Sequence, residues 1–503
     1  MKKIKKKKQE TKGMFKIAFL KIYDFLKKEF CEKWLFYFTF LFSILTIFLF
    51  MKGELMCPDG VGYYVYIQSL ILDRDFSFLN NLESLGVSHQ FGWFSPIHNN
   101  YISNPFAMGT GVAWIPFFLL AHLITLIANI LVVKAGFTFH TDGTSYIYVA
   151  ILSLGSCFYG LLALFLSFKV AKRFFSSEDS FLAMLAIWTT SPFVFNFYWM
   201  PTHSHLIDSF AIALFLFLWI GSKDKDGLFW WFCYGLAFGF ATLVRWQNLL
   251  FGILLLIPPR KLVIPYILFL FGAFLTFLPQ LVVWKIIYGK FILIPQGKEF
   301  MQWTNPEILK FLFSSWHGLY SWTPIIFFST LGLFWFYKKN KRISACFLIA
   351  FLLQVYVNSC VSDWWAGTSF GARRITGLTF VFLLGLASFF SFLGKRRLLK
   401  YLILAFCVFW TETLIISMLS SPDLLTEYRS YSDLIKIQIN TFFNLKSFLP
   451  MLVKYGPLIM LNRYHQINTF AFFAIKIIYF FMGIVFFLIL RISYGIIIKS
   501  KQS

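Results

Sequence analysis

Charged residues are scarce in this chain. Only 14% of its 503 residues are Asp, Glu, Lys or Arg, whereas 58% are hydrophobic. A soluble domain typically carries about a quarter charged residues. The chain therefore has too few polar residues to cover a soluble core of this size. The composition predicts a membrane protein, for which lipid is the solvent over much of its length.

Acidic residues are scarcer still, and the few cysteines show no order. There are 22 acidic against 46 basic residues, which gives a net charge of +24. The basic residues cluster between apolar runs, which is the pattern of cytoplasmic loops and not of a nucleic-acid surface.

The seven cysteines have no CxxC spacing. Neither a disulfide framework nor a zinc site is indicated.

Twelve apolar runs approach the length of about 20 residues that a membrane-crossing helix needs. They cover residues 34–51, 144–168, 180–199, 206–221, 228–244, 246–257, 262–284, 317–337, 343–361, 375–393, 401–418 and 469–490. The run 246–257 is short, which favours a partial or re-entrant helix. The first run follows a basic segment, 1–33, and predicts a signal anchor that is retained.

The placement of one further apolar run, 105–133, decides the topology. If it crossed once, the basic loop 169–173 and every later basic loop would change sides. If it dips in and returns, or lies in the interface, all short basic loops share the side of the amino terminus, as the positive-inside rule requires. We adopt this second interpretation.

The resulting prediction is an all-α polytopic membrane protein with about twelve crossings and both termini in the cytoplasm. A single transmembrane domain, 34–503, has a long first extracytoplasmic loop, 52–143, with interfacial or re-entrant helices. A late extracytoplasmic loop, 419–468, is basic, but long loops translocate largely regardless of charge. A bacterial plasma membrane is the expected location.

Asp59 is the first polar residue of interest on the predicted outer face. It stands between Pro58 and Gly60, at the start of an amphipathic stretch, 61–72. It could cap a helix that lies in the interface, or it could act as a catalytic carboxylate. Both interpretations stay open at this point.

The turn that precedes the run 206–221 contains His203, His205 and Asp208. A His-x-His pair with a nearby carboxylate is a candidate site for a divalent metal. The alternative is a set of polar residues at a helix boundary that meet lipid headgroups. No cofactor is certain from this pattern.

Arginines recur at the same predicted level. Arg245 interrupts an apolar hairpin, 228–257, and such a charge is costly unless a bundle carboxylate or an anionic lipid phosphate pairs with it. Arg373 and Arg374 open the run 375–393 after a glycine-containing turn. They suit phosphate at a helix amino terminus, although arginines can also snorkel to the interface.

Three more residues of these outer segments are candidate substrate contacts. Asp363 and Trp364 precede the two arginines, and His317 opens the run 317–337 within a tryptophan-rich stretch. Aromatic residues there also fit an ordinary interfacial belt.

An outer carboxylate together with arginines placed for phosphate fits glycosyl transfer from a polyprenyl-phosphate sugar. One base deprotonates an acceptor hydroxyl, which attacks the anomeric carbon opposite the phosphate, and the arginines stabilise the leaving group. The acceptor would be an extracytoplasmic protein, lipid or glycan.

The order of features resembles the GT-C superfamily of integral membrane glycosyltransferases. The resemblance is closest to its bacterial branch, which is related to protein O-mannosyltransferases and the lipid A aminoarabinose transferase. It rests on PDGVGYY at 58–64, NPFAMG at 104–109, WIPFF at 114–118 and a hairpin with a basic outer turn at 235–247. It implies that Asp59 is the catalytic carboxylate and Arg245 a phosphate contact. The family's Asp-Glu pair, its lysine near the end of the first loop and its large carboxy-terminal domain have no counterpart here.

Two other classes of protein remain as alternatives. A transporter or lipid flippase would also have many helices and a few buried charges, but it would show repeated halves and polar residues along a path across the membrane. A scaffold subunit of the cell envelope would tolerate replacement of Asp59.

Overall fold

The computed structural model describes residues 58–87, 93–97, 101–132, 138–221, 227–256, 263–367, 369–420, 424 and 427–443. These residues are mostly helical and form no β-strand. Six of their helices are long and apolar enough to cross a membrane, or seven if the pair Ser177–Thr190 and Pro192–Tyr198, bent by 64°, is one span. The protein is therefore an all-α chain with several helices suited to a membrane.

Sixteen α-helices follow one another along the described residues. In order they are α1 Pro58–Gln68, α2 Leu79–Ser84, α3 Gly109–Val132, α4 Tyr146–Ala171, α5 Ser177–Thr190, α6 Pro192–Tyr198, α7 His205–Gly221, α8 Leu228–Val244, α9 Val263–Tyr288, α10 Ile308–Phe313, α11 Leu319–Trp322, α12 Pro324–Phe336, α13 Lys341–Ser359, α14 Thr379–Leu393, α15 Arg397–Ser420 and α16 Tyr431–Phe443. A π-helical turn, Ser69–Asp73, extends α1, and 3-10 helices cover Trp246–Leu256, Lys298–Phe300 and Arg373–Leu378.

The predicted first and last crossings, 34–51 and 469–490, lie outside the described residues, as does the basic segment 1–33. The described helices α7, α8 and α12 and the 3-10 helix Trp246–Leu256 are apolar but shorter than a standard span. The number of twelve crossings therefore stays a prediction.

Within the run 105–133, residues Gly109–Val132 form one helix, α3, which continues through Pro116 without a reversal. The alternative that the run dips in and returns is therefore wrong, and the alternative that it lies in the interface stays a prediction. The helix runs antiparallel to the first half of α4: Trp114 donates to Ser156 over 2.8 Å, whereas His122 lies 2.6 Å from the hydroxyl of Tyr148.

The short run 246–257 is a 3-10 helix, Trp246–Leu256. A 3-10 helix rises about 2.0 Å per residue, so eleven residues reach about 22 Å, further than an α-helix of equal length. Before and after it, α8 and α9 run parallel, because Gly235 packs on Phe269 and Gly239 packs on Ala273. Two parallel neighbours need a reversal between them, and the 3-10 helix supplies it.

Other neighbouring helices have the relative directions that alternating crossings require. Helix α5 is parallel to α15, since Asp179 meets Lys400 at one end and Thr190 meets Thr411 further along. Helix α12 is parallel to α14, as Ser329 bonds to Phe382 and Trp335 stacks on Phe392. Helix α7 is parallel to α4, with Leu206 near Gly160 and Gly221 near Arg173.

The late loop contains α16, which turns back along α15. Leu434 packs with Met418, Gln438 bonds to Thr413 over 2.9 Å, and Phe442 meets Phe409. Residue numbers rise along α16 while those of its contacts in α15 fall, so the two helices are antiparallel. The rest of the loop, from 444 onward, lies outside the described residues.

We expect Gly235→Ala to lower the free energy of unfolding by about 1–3 kcal/mol, because overpacking forces helices apart. A Cβ at this position would overlap the backbone carbonyl of Phe269 in α9. Thermal unfolding in detergent measures the effect. The matched control is Gly252→Ala, whose Cβ would lie 3.5 Å from the Phe238 ring at its closest. Equal melting temperatures of the two variants would contradict the close packing of α8 on α9.

Candidate active site

Asp59 lies within the first turn of α1, after Pro58. Its side chain is 25% exposed and lies 3.3 Å from Arg373. The carboxylate therefore has a partner outside its own helix, and the choice between a cap and a catalytic carboxylate stays a prediction.

Helix α1 is held in place by the segment 104–108. The Asn104 amide donates to the Gly62 carbonyl over 2.8 Å, and a Cβ on Gly62 would overlap the ring of Phe106. The segment is fixed in turn by α9, where Gln280 accepts from the Met108 backbone over 2.9 Å. The NPFAMG motif thus positions the helix that carries Asp59.

The turn between α6 and α7 packs against the same helix. The Tyr63 hydroxyl donates to the Ser204 hydroxyl over 3.1 Å. Ser204 lies between His203 and His205, both of which are buried. This contact brings His203 close to Asp59, and the ring of His205 lies 5.6 Å from that of His203, centroid to centroid.

Arg373 connects Asp59 with the histidine turn. Its Nη1 lies 3.3 Å from Asp59 Oδ2 and 3.0 Å from His203 Nδ1. The same Nη1 lies 3.4 Å from Nε2 of His203. A guanidinium group can only donate hydrogen bonds, so a ring nitrogen of His203 is the acceptor, and the shorter distance favours Nδ1. The Arg373 Nε is buried and makes no hydrogen bond to the described part of the chain.

Arg245 has a similar pair of partners. Its Nη1 donates to His205 Nδ1 over 2.9 Å, and its Nε lies 3.8 Å from Asp208 Oδ2. Asn248 donates to the other oxygen of Asp208 over 2.6 Å. The backbone of Arg245 is extended at the point where α8 ends and the 3-10 helix begins, which turns its side chain toward these partners.

Asp208 is fully buried in the first turn of α7. The 3-10 helix Arg373–Leu378 packs against it, and a Cβ on Gly377 would overlap the Asp208 carboxylate. The absence of a side chain at Gly377 therefore lets the carboxylate sit between the two helices and face Arg245.

Arg374 forms a closed pair with Asp363. Its Nη2 donates to both carboxylate oxygens, over 2.7 and 2.8 Å, and its Nη1 donates to the Asp363 backbone carbonyl over 2.6 Å. The loop between them turns through left-handed backbone at Ala366, Gly367 and Gly371. The Arg374 carbonyl accepts from Gln247, which ties this loop to the 3-10 helix.

Three arginines thus meet three carboxylates, and the pairs differ in how completely they satisfy each other. Arg374 donates from Nη2 to both carboxylate oxygens of Asp363 and from Nη1 to its backbone carbonyl, so three hydrogen bonds join the pair. Arg245 and Asp208 are 3.8 Å apart, with a carboxylate that is sealed from solvent. Asp59 and Arg373 share a single contact. The side chains of Asp59 and Asp363 are both partly exposed, at 25% and 30%, so the number of contacts is what distinguishes the two pairs. The Asp59–Arg373 pair is the one best placed to accept a substrate.

Electrostatics keep Asp59 ionised and His203 neutral. Burial raises the pKa of the Asp59 carboxyl, but the charge of Arg373 and of other basic groups outweighs burial, so its pKa lies below the usual 3.8. Burial and the charge of Arg373 lower the pKa of His203 to about 3. Burial and the charge of Asp59 raise the pKa of Tyr63 above its usual value of 10.0, so Tyr63 remains a donor.

The predicted substrate contacts His317 and Trp364 lie in an aromatic cluster beside Asp363. The His317 ring stacks on Trp322, with 4.4 Å between centroids, and Trp316 stacks on Trp365 at 4.7 Å. Trp364 lies perpendicular to that pair and is 7% exposed. Their role as substrate contacts stays a prediction.

The three candidate metal ligands from the sequence, His203, His205 and Asp208, contact arginine side chains. His203 and His205 accept hydrogen bonds from Arg373 and Arg245, and Asp208 faces Arg245. The described residues contain no group of three His, Cys, Asp or Glu side chains arranged to hold a metal ion.

The sequence argument missed the neutral partners of the site, which are Tyr63, Ser204, Gln247, Asn248 and Asn104. Such residues are common in helices and turns, and no spacing sets them apart. For Asn248 a signal exists in hindsight, because it follows Arg245 by three residues at a helix break, where polar side chains satisfy freed backbone groups.

Comparison of the chain with protein-family models gives no match, and comparison with curated proteins gives none either. The argument for function therefore rests on the site itself.

The pH dependence of stability tests the state of His203. Unfolded His203 binds a proton below about pH 6.5 but the folded residue does not, so it lowers stability by about 2 kcal/mol between about pH 6.5 and about pH 5. Asp59 contributes nothing in this window, since its pKa is lowered and its effect comes at lower pH. Thermal unfolding of His203→Asn should therefore depend less on pH than the wild type does. His140→Asn, at an exposed histidine, is the control, and identical pH profiles of all three proteins would contradict a buried neutral His203.

A double-mutant cycle tests the closed pair. Asp363→Asn should lower the free energy of unfolding by about 2–3 kcal/mol, because the Arg374 charge, 13% exposed, loses its bidentate partner. Adding Arg374→Gln should then cost less than it does in the wild type. Strictly additive effects on thermal unfolding would contradict the pairing. Asp142→Asn, at an exposed carboxylate, controls for loss of charge.

Proposed function

We propose that this protein is a membrane glycosyltransferase that moves a sugar, with inversion, from a polyprenyl-phosphate donor to an extracytoplasmic acceptor. The observation that carries the proposal is the open pair of Asp59 and Arg373, which puts a partly exposed carboxylate and a guanidinium group 3.3 Å apart. A base for the acceptor and a cation for the leaving phosphate are what this reaction needs.

The proposed step is a single displacement. The acceptor oxygen attacks the anomeric carbon on the side opposite the phosphate, and the proton of its hydroxyl group passes to Asp59. The bond between the anomeric carbon and the phosphate oxygen breaks, and its electron pair stays on the phosphate. Arg373 and Arg245 stabilise that negative charge.

The low pKa of Asp59 makes it a weak base in the resting protein. A donor phosphate would compete with Asp59 for the guanidinium of Arg373. Once the phosphate takes over Arg373, Asp59 loses its closest positive partner and its basicity rises. Donor binding thus prepares the base, and proton transfer comes late, when the attacking oxygen is already bonding to carbon.

Arg374 and Asp363 have a positioning role in this proposal. Their three hydrogen bonds close the loop that carries Arg373, so the guanidinium of Arg374 is engaged before any donor arrives. Trp364 and His317 belong to the neighbouring aromatic cluster and are proposed as contacts of the donor or acceptor sugar, although Trp364 is only 7% and His317 only 1% exposed.

We further propose a GT-C-like topology in a bacterial plasma membrane, with twelve crossings, a cytoplasmic amino terminus and the site on the outer face. The parallel and antiparallel contacts of α4 to α15 support alternating crossings. The residues of the site come from the ends of α1, α7 and α8 and from the start of the 3-10 helix Arg373–Leu378, which supports a site at one face. A transporter would instead spread such residues along a path.

The test is transfer of labelled sugar from polyprenyl-phosphate donors in membranes that contain the protein. Asp59→Asn, at matched expression, should reduce the rate at least about 100-fold, because a positioned base contributes about that much or more. Asp142→Asn should retain the wild-type rate, since Asp142 is an exposed loop residue whose carboxylate accepts from the backbone and hydroxyl of Thr144.

Equal rates for wild type and Asp59→Asn would refute Asp59 as the base. No transfer by the wild type across a panel of donors would refute the enzyme itself, and a flippase assay on the same membranes would then be the next measurement.

A further inference from the structure

We propose that His203 and His205 are positioning residues, which as neutral acceptors hold the guanidinium groups of Arg373 and Arg245 toward one phosphate group. The two histidines thus act as a clamp that holds the two arginines. The arginines in turn bind the phosphate of a lipid. This inference rests on the proposed function for its lipid source but not for the anion site itself.

The first observation is the pairing of each histidine with one arginine. Arg373 Nη1 lies 3.0 Å from His203 Nδ1, and Arg245 Nη1 lies 2.9 Å from His205 Nδ1. Arg373 Nη1 also lies 3.4 Å from His203 Nε2. Because an arginine has no acceptor, each imidazole presents an unprotonated ring nitrogen to its arginine. A neutral acceptor fixes the direction of a guanidinium without cancelling its charge, whereas a carboxylate would do both.

The second observation is how the clamp is fixed. Both histidines are 2% exposed, and Ser204 between them accepts a hydrogen bond from Tyr63 of α1. With their ring centroids 5.6 Å apart, the two imidazoles set the spacing of the two guanidinium groups. Side chains locked by packing and by such contacts hold a binding geometry with little loss of entropy when the ligand arrives.

The third observation is that donors remain for a ligand. The Arg373 Nε is buried with no hydrogen bond to the described residues, and the Arg245 Nε is 3.8 Å from its carboxylate. By contrast, Arg374 donates three hydrogen bonds to Asp363. A phosphate between Arg245 and Arg373 would satisfy these donors, since its oxygens match the planar fork of arginine.

Binding of farnesyl phosphate and farnesol to the purified full-length protein in detergent with EDTA tests the clamp. The wild type should bind the phosphate at least about tenfold more tightly than the alcohol, which is about 1.4 kcal/mol. His203→Leu should lose this ratio but still bind farnesol. His203→Asn should keep most of it, because the amide oxygen of asparagine can take the place of Nδ1. His140→Leu, at an exposed histidine, should match the wild type.

A wild-type protein without the preference, or one that shows it only when a divalent metal replaces EDTA, would overturn the clamp. So would a His203→Leu protein that keeps the preference, or a His203→Asn protein that loses it as Leu does. Inorganic phosphate that competes as well as farnesyl phosphate would support the anion site and refute its lipid source. A preserved preference without any sugar transfer would leave the clamp standing and refute the proposed reaction.

Discussion

A guanidinium group among apolar helices must have a hydrogen-bond or charge partner. The candidate site contains three such groups, and its properties depend on the partners that each one has. Arg374 donates hydrogen bonds to both carboxylate oxygens of Asp363, and this pair holds the loop between the two residues in place. Arg245 and Arg373 are instead shared between a histidine and a more distant carboxylate. Full pairing gives rigidity, and partial pairing leaves charge for a ligand. This difference separates Arg374 from Arg245 and Arg373, the two arginines that we propose bind phosphate.

Apolar run length predicted the fold class and the approximate places of most described helices. It did not predict the 3-10 helix Trp246–Leu256, since hydropathy does not record rise per residue. The positive-inside rule required that 105–133 make no net crossing, either as a re-entrant hairpin or as a helix in the interface. The single helix Gly109–Val132 excludes the hairpin, and the interfacial helix stays a prediction. Helix packing, through contacts such as Gly235 on Phe269, is not visible in a hydropathy pattern.

Most of the charged residues of the candidate site could be found from the sequence, because a charge at the end of an apolar run must have a reason. Their partners could not. His203 and Arg373 are 170 positions apart in the chain, and His205 and Arg245 are 40 apart. His-x-His spacing alone is compatible with a metal as well as with arginines. Only the direction of the donors, which a sequence does not contain, distinguishes the two.

The most direct test of the account is an experimental structure of the protein with farnesyl phosphate bound. The account predicts that the phosphate lies between Arg245 and Arg373, that both arginines keep their histidine contacts, and that the Arg373–Asp59 distance grows beyond its resting 3.3 Å. A phosphate bound elsewhere, or one bound at Arg373 while the contact with Asp59 is unchanged, would contradict it.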